Sequence, residues 1–346
     1  MKTLQQLQSA GISVPMQINW QLGDLMEYRG KQALFTRQVP QKLKALREHA
    51  LIESAVSSNR IEGVEVDQKR IKTLVFGAPA YKDRDEEEVA GYREALNWIH
   101  SEAAALPLSE ETILRFHKMS RGSIWDAGKY KDKPVDIVEI LPNGERRIRF
   151  KSVSPEETPA MMRQSMNIMD ALLKDCRVQP LILLGALNLD FLCIHPFRDG
   201  NGRVSRLLLL QTCYHLGLEV GRYISLERII EQNKERYYET LRLSSQGWHE
   251  GKHDPWPYIG YLLFILKQAY QEFEERVGQI EAPRGEKTSL IETAIRQLET
   301  FSVSDIQRAC PGVSVDLIRR TLKVMQDKNE VKCTRKGRSA KWMRVN

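Results

Sequence analysis

The chain has 346 residues, 42% of them apolar and 28% charged, a balance that excludes a disordered tail protein and leaves apolar material for two or three domains. The net charge of +7 is confined to one end: residues 283–346 carry 14 Lys and Arg against 7 Asp and Glu, so everything ahead of them is neutral. No apolar stretch approaches the ~20 residues of a membrane span. The opening MKTLQQLQSAGISVP has no signal core. The cysteines Cys176, Cys193, Cys213, Cys310 and Cys333 are dispersed without a C-x-x-C, as expected of reduced thiols in a cytoplasmic protein.

In chain order, Leu43, Leu46, Ala50, Ile52 and Val56 recur near helical spacing and predict a helix from about residue 41 that stops at Gly63. A second helix is expected over 86–104, and a third starts at Ser109, with Glu110 and Glu111 at its positive dipole end. At Val135 the period changes to two. VDIVEI and ERRIRF read as strands of a hairpin turning at Asn143-Gly144. Ser154-Pro155-Glu156-Glu157 supplies an N-cap, a first-turn proline and a capping-box glutamate for the next helix. Residues 181–195 are apolar almost all round, which predicts a helix at the centre of a bundle. A further helix covers 256–280, and EAPRGEK forms a linker. The tail then reads as three helices (SLIETAIRQLET, SVSDIQRAC, SVDLIRRTLKVMQDKN) and two basic strands around Gly337. On the third helix Leu317, Ile318, Thr321, Leu322 and Met325 share one face, leaving Arg319, Arg320 and Lys323 outward. This is the pattern of a winged helix-turn-helix, suited either to DNA or to a protein partner.

The segment that carries chemistry is HPFRDGNGRVSR, residues 195–206. Gly200-Asn201-Gly202 frees the backbone for close approach to a ligand, and a glycine turn that opens a helix points N–H groups and the positive dipole end at an anion. Arg203 and Arg206, three apart, put two guanidinium groups on one helix face, suited to phosphate oxygens. Asp199 can hold Mg2+ beside those phosphates. His195 is the side chain here expected to titrate near neutral pH, which makes it the natural general base. Together these residues describe phosphoryl or nucleotidyl transfer.

The string resembles the Fic family signature, H-x-F-x-[DE]-G-N-G-R-x-x-R, at every defined position, and the resemblance extends over about residues 41–280. It implies a helical Fic core with a β-hairpin flap and transfer of AMP from ATP to a Tyr, Thr or Ser hydroxyl of a target protein, or of the chain itself. Relatives of the death-on-curing type, which phosphorylate instead, depart from this signature. By this resemblance His195 deprotonates the hydroxyl, Phe197 holds the loop, and Asp199 binds Mg2+. Gly200, Asn201 and Gly202 form the anion hole, joined by backbone N–H groups at Val204 and Ser205. Arg203 holds the departing phosphates and Arg206 the γ-phosphate of ATP, while the hairpin binds an extended target segment by strand addition. Ser58-Asn59-Arg60-Ile61-Glu62-Gly63 fits the family's inhibitory pattern, [ST]-x-x-x-E-[GN], which sets Glu62 against Arg206 in a bidentate pair.

Other residues carry weaker signals. Tyr238, with Tyr237, is similar to aromatics that flank the nucleotide in relatives; packing is the alternative. His249 and His253 read as loop residues rather than metal ligands, Cys193 as a small buried hydrophobe, and Trp98, Trp125 and Trp256 as core or rim. The expected organisation is mainly α: an N-terminal helical region with the inhibitory helix over 1–105, a Fic catalytic core over 106–280 and a winged-helix domain over 286–346. ATP and Mg2+ are the implied cofactors. A homodimer, another transferred nucleotide or phosphate, and a nucleotide-sensing DNA-binding regulator stay open as alternatives.

Overall fold

The structure is a computed structural model that describes residues 1–9, 13–38, 40–77, 80–103, 105–140, 144–278, 286–296, 298–310, 313–335 and 340–345. It divides into two compact units, Met1–Val277 and Gly278–Asn346. In the first, α1 (Lys2–Gln8), α2 (Met16–Gln38), α3 (Pro40–Ile61), α4 (Gln68–Phe76), α5 (Arg84–Glu102) and α6 (Glu110–Arg121) lead to a hairpin of β1 (Ile137–Ile140) and β2 (Arg146–Phe150). Then follow α7 (Thr158–Asp175), α8 (Pro180–Ile194), α9 (Asn201–His215), a 3-10 turn at Val220–Arg222, α10 (Leu226–Gln232), α11 (Lys234–Ser245) and α12 (Trp256–Gly278). The regions expected as 1–105 and 106–280 share this unit and one apolar core up to Val277. Among the described residues no helix is long and apolar enough to cross a membrane.

Local chemistry sets the helix starts. Asp83 accepts the Glu86 N–H at 3.0 Å and starts α5 two residues ahead of the expected 86. Ser109 accepts the Thr112 N–H at 3.2 Å and starts α6. The Ser154 box differs from expectation: Ser154 Oγ accepts the Glu157 N–H at 3.3 Å, but this closes only a turn. α7 begins at Thr158, with Pro159 in its first turn. The β1–β2 pair is antiparallel, with Val138 opposite Ile148. The expected turn residue Asn143 lies outside the described residues, and Gly144 sits at φ 82°.

α8 is the axis of the first unit. Leu181 through Ile194 are all buried, and the helix packs against α1, α7, α9 and α11. Each buried leucine or isoleucine there stabilises the fold by roughly 1.5–3 kcal/mol. Two polar residues hide in this apolar run, and both are satisfied. Asn188 donates to the Ser205 carbonyl (2.7 Å) and accepts from the Tyr258 hydroxyl (2.7 Å). Asp190 accepts the N–H groups of Thr3 and Leu4 (2.9 Å each) at the start of α1 and the Trp248 indole N–H at 2.7 Å, an anion at a helix N-terminus.

The second unit has a core of its own around Ile291, Ile295, Phe301, Ile306, Ile318, Leu322 and Val331. Its elements are α13 (Glu286–Arg296), β3 (Thr300–Ser302), α14 (Val303–Ala309), α15 (Val315–Asp327), β4 (Val331–Arg335) and β5 (Lys341–Arg344), the strands in antiparallel order β3-β5-β4. The helix expected over SLIETAIRQLET starts earlier and ends at Arg296, because Thr300 and Phe301 pair with Met343 and Trp342 instead. Arg319, Arg320 and Lys323 lie on the exposed face of α15, and Ile318, Thr321, Leu322 and Met325 on the buried one. Most of the expected linker and Gly337 lie outside the described residues.

Candidate active site

The loop between α8 and α9 brings a helix C-terminus and a helix N-terminus to one place. His195 caps α8 in the left-handed conformation, φ 53° and ψ 60°, uncommon for a residue with a Cβ. Gly200, at φ 80°, caps α9. Between them Phe197 is fully buried and stacks on His117 with ring centroids 3.8 Å apart. His117 accepts the Gly128 N–H at Nδ1 (2.9 Å), which leaves Nε2 to donate to the Asp199 carbonyl at 3.1 Å. The Asn201 side chain closes the loop on itself, accepting the Phe197 N–H (2.9 Å) and donating to its carbonyl (2.8 Å). Asn201 and Ser205 therefore spend their side chains on the loop. The Ser205 hydroxyl donates to the Gly202 carbonyl at 2.8 Å. Val204, expected among the open amides, already donates its N–H to Gly200 at 3.0 Å. The first-turn amides ahead of it are those of Asn201, Gly202 and Arg203.

Glu62 occupies the mouth of this helix. A Cβ built on Gly202 would lie 2.1 Å from Glu62 Oε1 and 3.2 Å from Arg206 Nη1, so only glycine leaves room for the carboxylate. Arg206, 2% exposed, donates from Nη2 to Glu62 Oε1 and to the Ser58 carbonyl, and from Nε to Ser58 Oγ, each at 2.8 Å. The expected bidentate pair is thus a single contact on Glu62, with Ser58 holding the rest of the fork. Arg206 Nη1 is buried without a partner among the described residues. Burial opposes the guanidinium charge most strongly, but Glu62, Tyr92 and Tyr237 together outweigh it and raise the Arg206 pKa. The residues present fit a phosphate: an open helix start, a seat that a Cβ would fill, and an unsatisfied guanidinium N–H beside it.

His195, Glu62, Gly202 and Tyr238 line one cavity of about 210 Å3, closed by Ile137, Arg149 and Phe150 of the hairpin and by Tyr237 of α11. His195 does not titrate near neutral pH. Burial first, then the Lys131 ammonium, lower its pKa to about 4 against the opposing pull of Glu62 and Asp199. The imidazole is therefore neutral, able to accept a proton, down to about pH 4. Its Nδ1 has no partner among the described residues. Burial raises the Tyr238 hydroxyl to about 12.

Sequence reasoning missed the carboxylate that organises the other side of the loop. Glu88, 2% exposed, accepts from Arg84 Nε (2.9 Å), Arg121 Nη1 (2.8 Å) and Arg203 Nη1. Arg121 also donates to Asp199 Oδ2 at 2.7 Å, and Asn59 accepts from Arg203 at 3.2 Å. Burial alone would raise the Asp199 carboxyl, but Arg121, Arg203, the Gly200 N–H and Arg84 together hold it below its ordinary value. The described residues contain no group of three or more His, Cys, Asp or Glu side chains placed to hold a metal ion together. Asp199, 59% exposed, fits Mg2+ only as one carboxylate completed by phosphate oxygens, the usual donor set for that ion. His249 donates to the Lys151 carbonyl and stacks on Phe150, and His253 meets Thr3 at 2.8 Å.

Residues 107–213 match the Fic/DOC family. The chain is 26% identical over 216 residues to the protein adenylyltransferase Fic of Nematostella vectensis, an overlap of 59% of this chain and 45% of that protein, so it spans less than half of that relative's length. It superposes with a TM-score of 0.61 on a Fic family protein from Desulfovibrio desulfuricans at 19% identity, over 97% of this chain and 98% of the other. A Fic domain containing signalling protein from Bacteroides thetaiotaomicron gives a TM-score of 0.61 at 24% identity, over 74% and 98% of the two chains. The fold is the mainly helical Fic fold, and the Fic/DOC match covers the loop from His195 to Arg206.

Proposed function

We propose that the chain is a Fic-type transferase that moves AMP from ATP to a hydroxyl of a protein side chain, and that it rests in a state blocked by Glu62. One observation carries the reading: a carboxylate sits in the phosphate seat at Gly202, tied to Arg206, while a neutral His195 lines the same cavity. His195 takes the proton of a Tyr, Thr or Ser hydroxyl as its oxygen bonds to the α-phosphorus, and the bond from that phosphorus to pyrophosphate breaks. The first-turn amides of α9 and the Arg206 guanidinium stabilise the phosphoryl charge as it spreads. Arg203, held by Glu88 and Asn59, backs the same helix start. Asp199 would hold Mg2+, which neutralises charge on the phosphates. Tyr238 flanks the nucleotide from α11, and the hairpin receives the target segment by pairing with an extended strand.

Mass spectrometry of the Glu62→Gly protein after incubation with ATP and Mg2+ tests this. A covalent gain of one AMP on the chain or on an added protein supports the reading. A gain of phosphate, or no gain, overturns it.

A second reading concerns residues 278–346. Three helices with a three-stranded sheet and an exposed Arg319, Arg320 and Lys323 face fit a winged helix that contacts nucleic-acid phosphates.

A further inference from the structure

Three successive carbonyls of the catalytic turn are all taken by one residue. Lys131, 3% exposed, donates from Nζ to the carbonyls of Ile194 (3.1 Å) and His195 (2.9 Å), and from its backbone N–H to Pro196 (2.9 Å). The third acceptor of the ammonium is Ser152 Oγ at 2.7 Å, two residues beyond β2. The Ser152 N–H in turn reaches Asp136 Oδ1 at 3.3 Å, just ahead of β1. We propose that Lys131 is the positioning residue for His195, fixing the left-handed turn that aims the imidazole and tying it to the base of the β1–β2 hairpin.

Two physical arguments support this, and both rest on His195 acting as the base. A left-handed φ on a residue with a Cβ persists only where its surroundings over-determine it. Here the carbonyls on either side of that residue, and its own, are pinned from outside the helix. A cation at the C-terminus of α8 also meets the negative end of the helix dipole, which favours its burial there. The charged and titratable groups facing His195 are Lys131 from the loop before β1, Glu62 from the end of α3, Asp199 from its own loop, and Arg149 and Tyr238 across the cavity. Lys131 itself faces Asp136. Burial outweighs that carboxylate and lowers the Lys131 pKa to about 8. The ammonium is therefore charged at neutral pH and is lost as pH rises through about 8, whereas His195 becomes protonated as pH falls through about 4.

Two measurements test this on the full chain. The first is imidazole NMR of histidine-labelled protein, with the His195 signal identified by its loss in His195→Ala. Lys131→Met should move the His195 midpoint upward from about 4 toward the ordinary imidazole range, and Lys131→Arg should leave it near the wild-type value. A folded Lys131→Met protein with an unmoved midpoint overturns the proposal. The second is labelled-AMP transfer against pH in the Glu62→Gly background. The Lys131 protein should lose rate above about pH 8, and Lys131→Arg, whose guanidinium stays charged, should keep it. Identical basic limbs in the two overturn the proposal, and this comparison stands even where Lys131→Met does not fold. Lys131→Met should also lower kcat about tenfold or more with little change in the KM for ATP, since a displaced base costs rate rather than binding. Absence of AMP transfer from every variant rejects the transferase reading, while the NMR comparison still decides the role of Lys131.

Discussion

The two units use arginine in opposite ways. In the first, Arg203 and Arg206 are each 2% exposed and held by groups from other elements, Glu88 and Asn59 in one case and Glu62 and Ser58 in the other. In the second, Arg308 and Arg319 are 79% and 68% exposed and pair only along their own helices, with Asp305 at 2.8 Å and Asp316 at 3.9 Å. A buried, pre-oriented guanidinium discriminates between anions by shape and is barely screened by salt. An exposed one attracts any polyanion and is screened within about 10 Å at ordinary ionic strength. The contrast separates a region of fixed, buried guanidinium groups from one suited to an electrostatic footprint.

Four experiments break or sharpen it. The largest effect belongs to His195→Ala, which should lower AMP transfer by about 10²–10⁴. Its affinity for ATP, measured by calorimetry, should stay within about threefold, because the anion seat is intact. Next, Glu62→Gly should raise transfer by about 10–100-fold, the equivalent of a charge-assisted hydrogen bond of roughly 1.5–3 kcal/mol. More of that gain should fall in turnover than in ATP affinity, and it should change little between low and high salt because the Arg206 end of the pair is buried. Adding Arg206→Ala should remove the gain; full activity in the double variant would exclude Arg206 from the chemistry. In the second unit, alanine at Arg319, Arg320 or Lys323 should each weaken binding of a DNA duplex and reduce the salt slope by about 1. A duplex bound equally well at all salt concentrations would put that face outside the footprint. The smallest effect is expected of a chain ending at residue 277. It should keep its melting transition and an ATP affinity within about twofold, since its core is separate from the second.

What could be read from sequence was what repeats a spacing. The loop from His195 to Arg206, the Glu62 pattern, the all-apolar α8 and the outward face of α15 each declare themselves through residue types at fixed intervals. What could not be read was held by burial and by long-range contacts. Glu88 closes an acidic run, Asp85-Glu86-Glu87-Glu88, that reads as N-terminal helix charge, yet Glu88 alone of the four gathers three arginines. Lys131 sits among charges that look solvated, in AGKYKDK, and becomes catalytically relevant only because α8 ends against it. A free imidazole titrates near neutral pH, but burial, with Lys131 beside it, takes His195 out of that range. In α2 the buried stripe of Ile18, Leu22 and Leu25 is masked by apolar residues on the exposed side, Met16, Trp20 and Met26.

Gly202 makes the site a contest between a tethered acid and a diffusing one. A carboxylate fixed at the end of a docked helix is present at its seat at an effective concentration of millimolar order or more, and only the phosphate that would take the Arg206 contact has to displace it, so the rest of a bound nucleotide can stay in place but misaligned. On the proposed reading, the strength of that block is set less by the glutamate than by how firmly α3 is moored, through Ser54 to Ser225 at 2.9 Å and Arg60 to Glu231 at 3.0 Å. Loosening either mooring would act as a dial, lowering the local dose of inhibitor while leaving every residue of the seat unchanged.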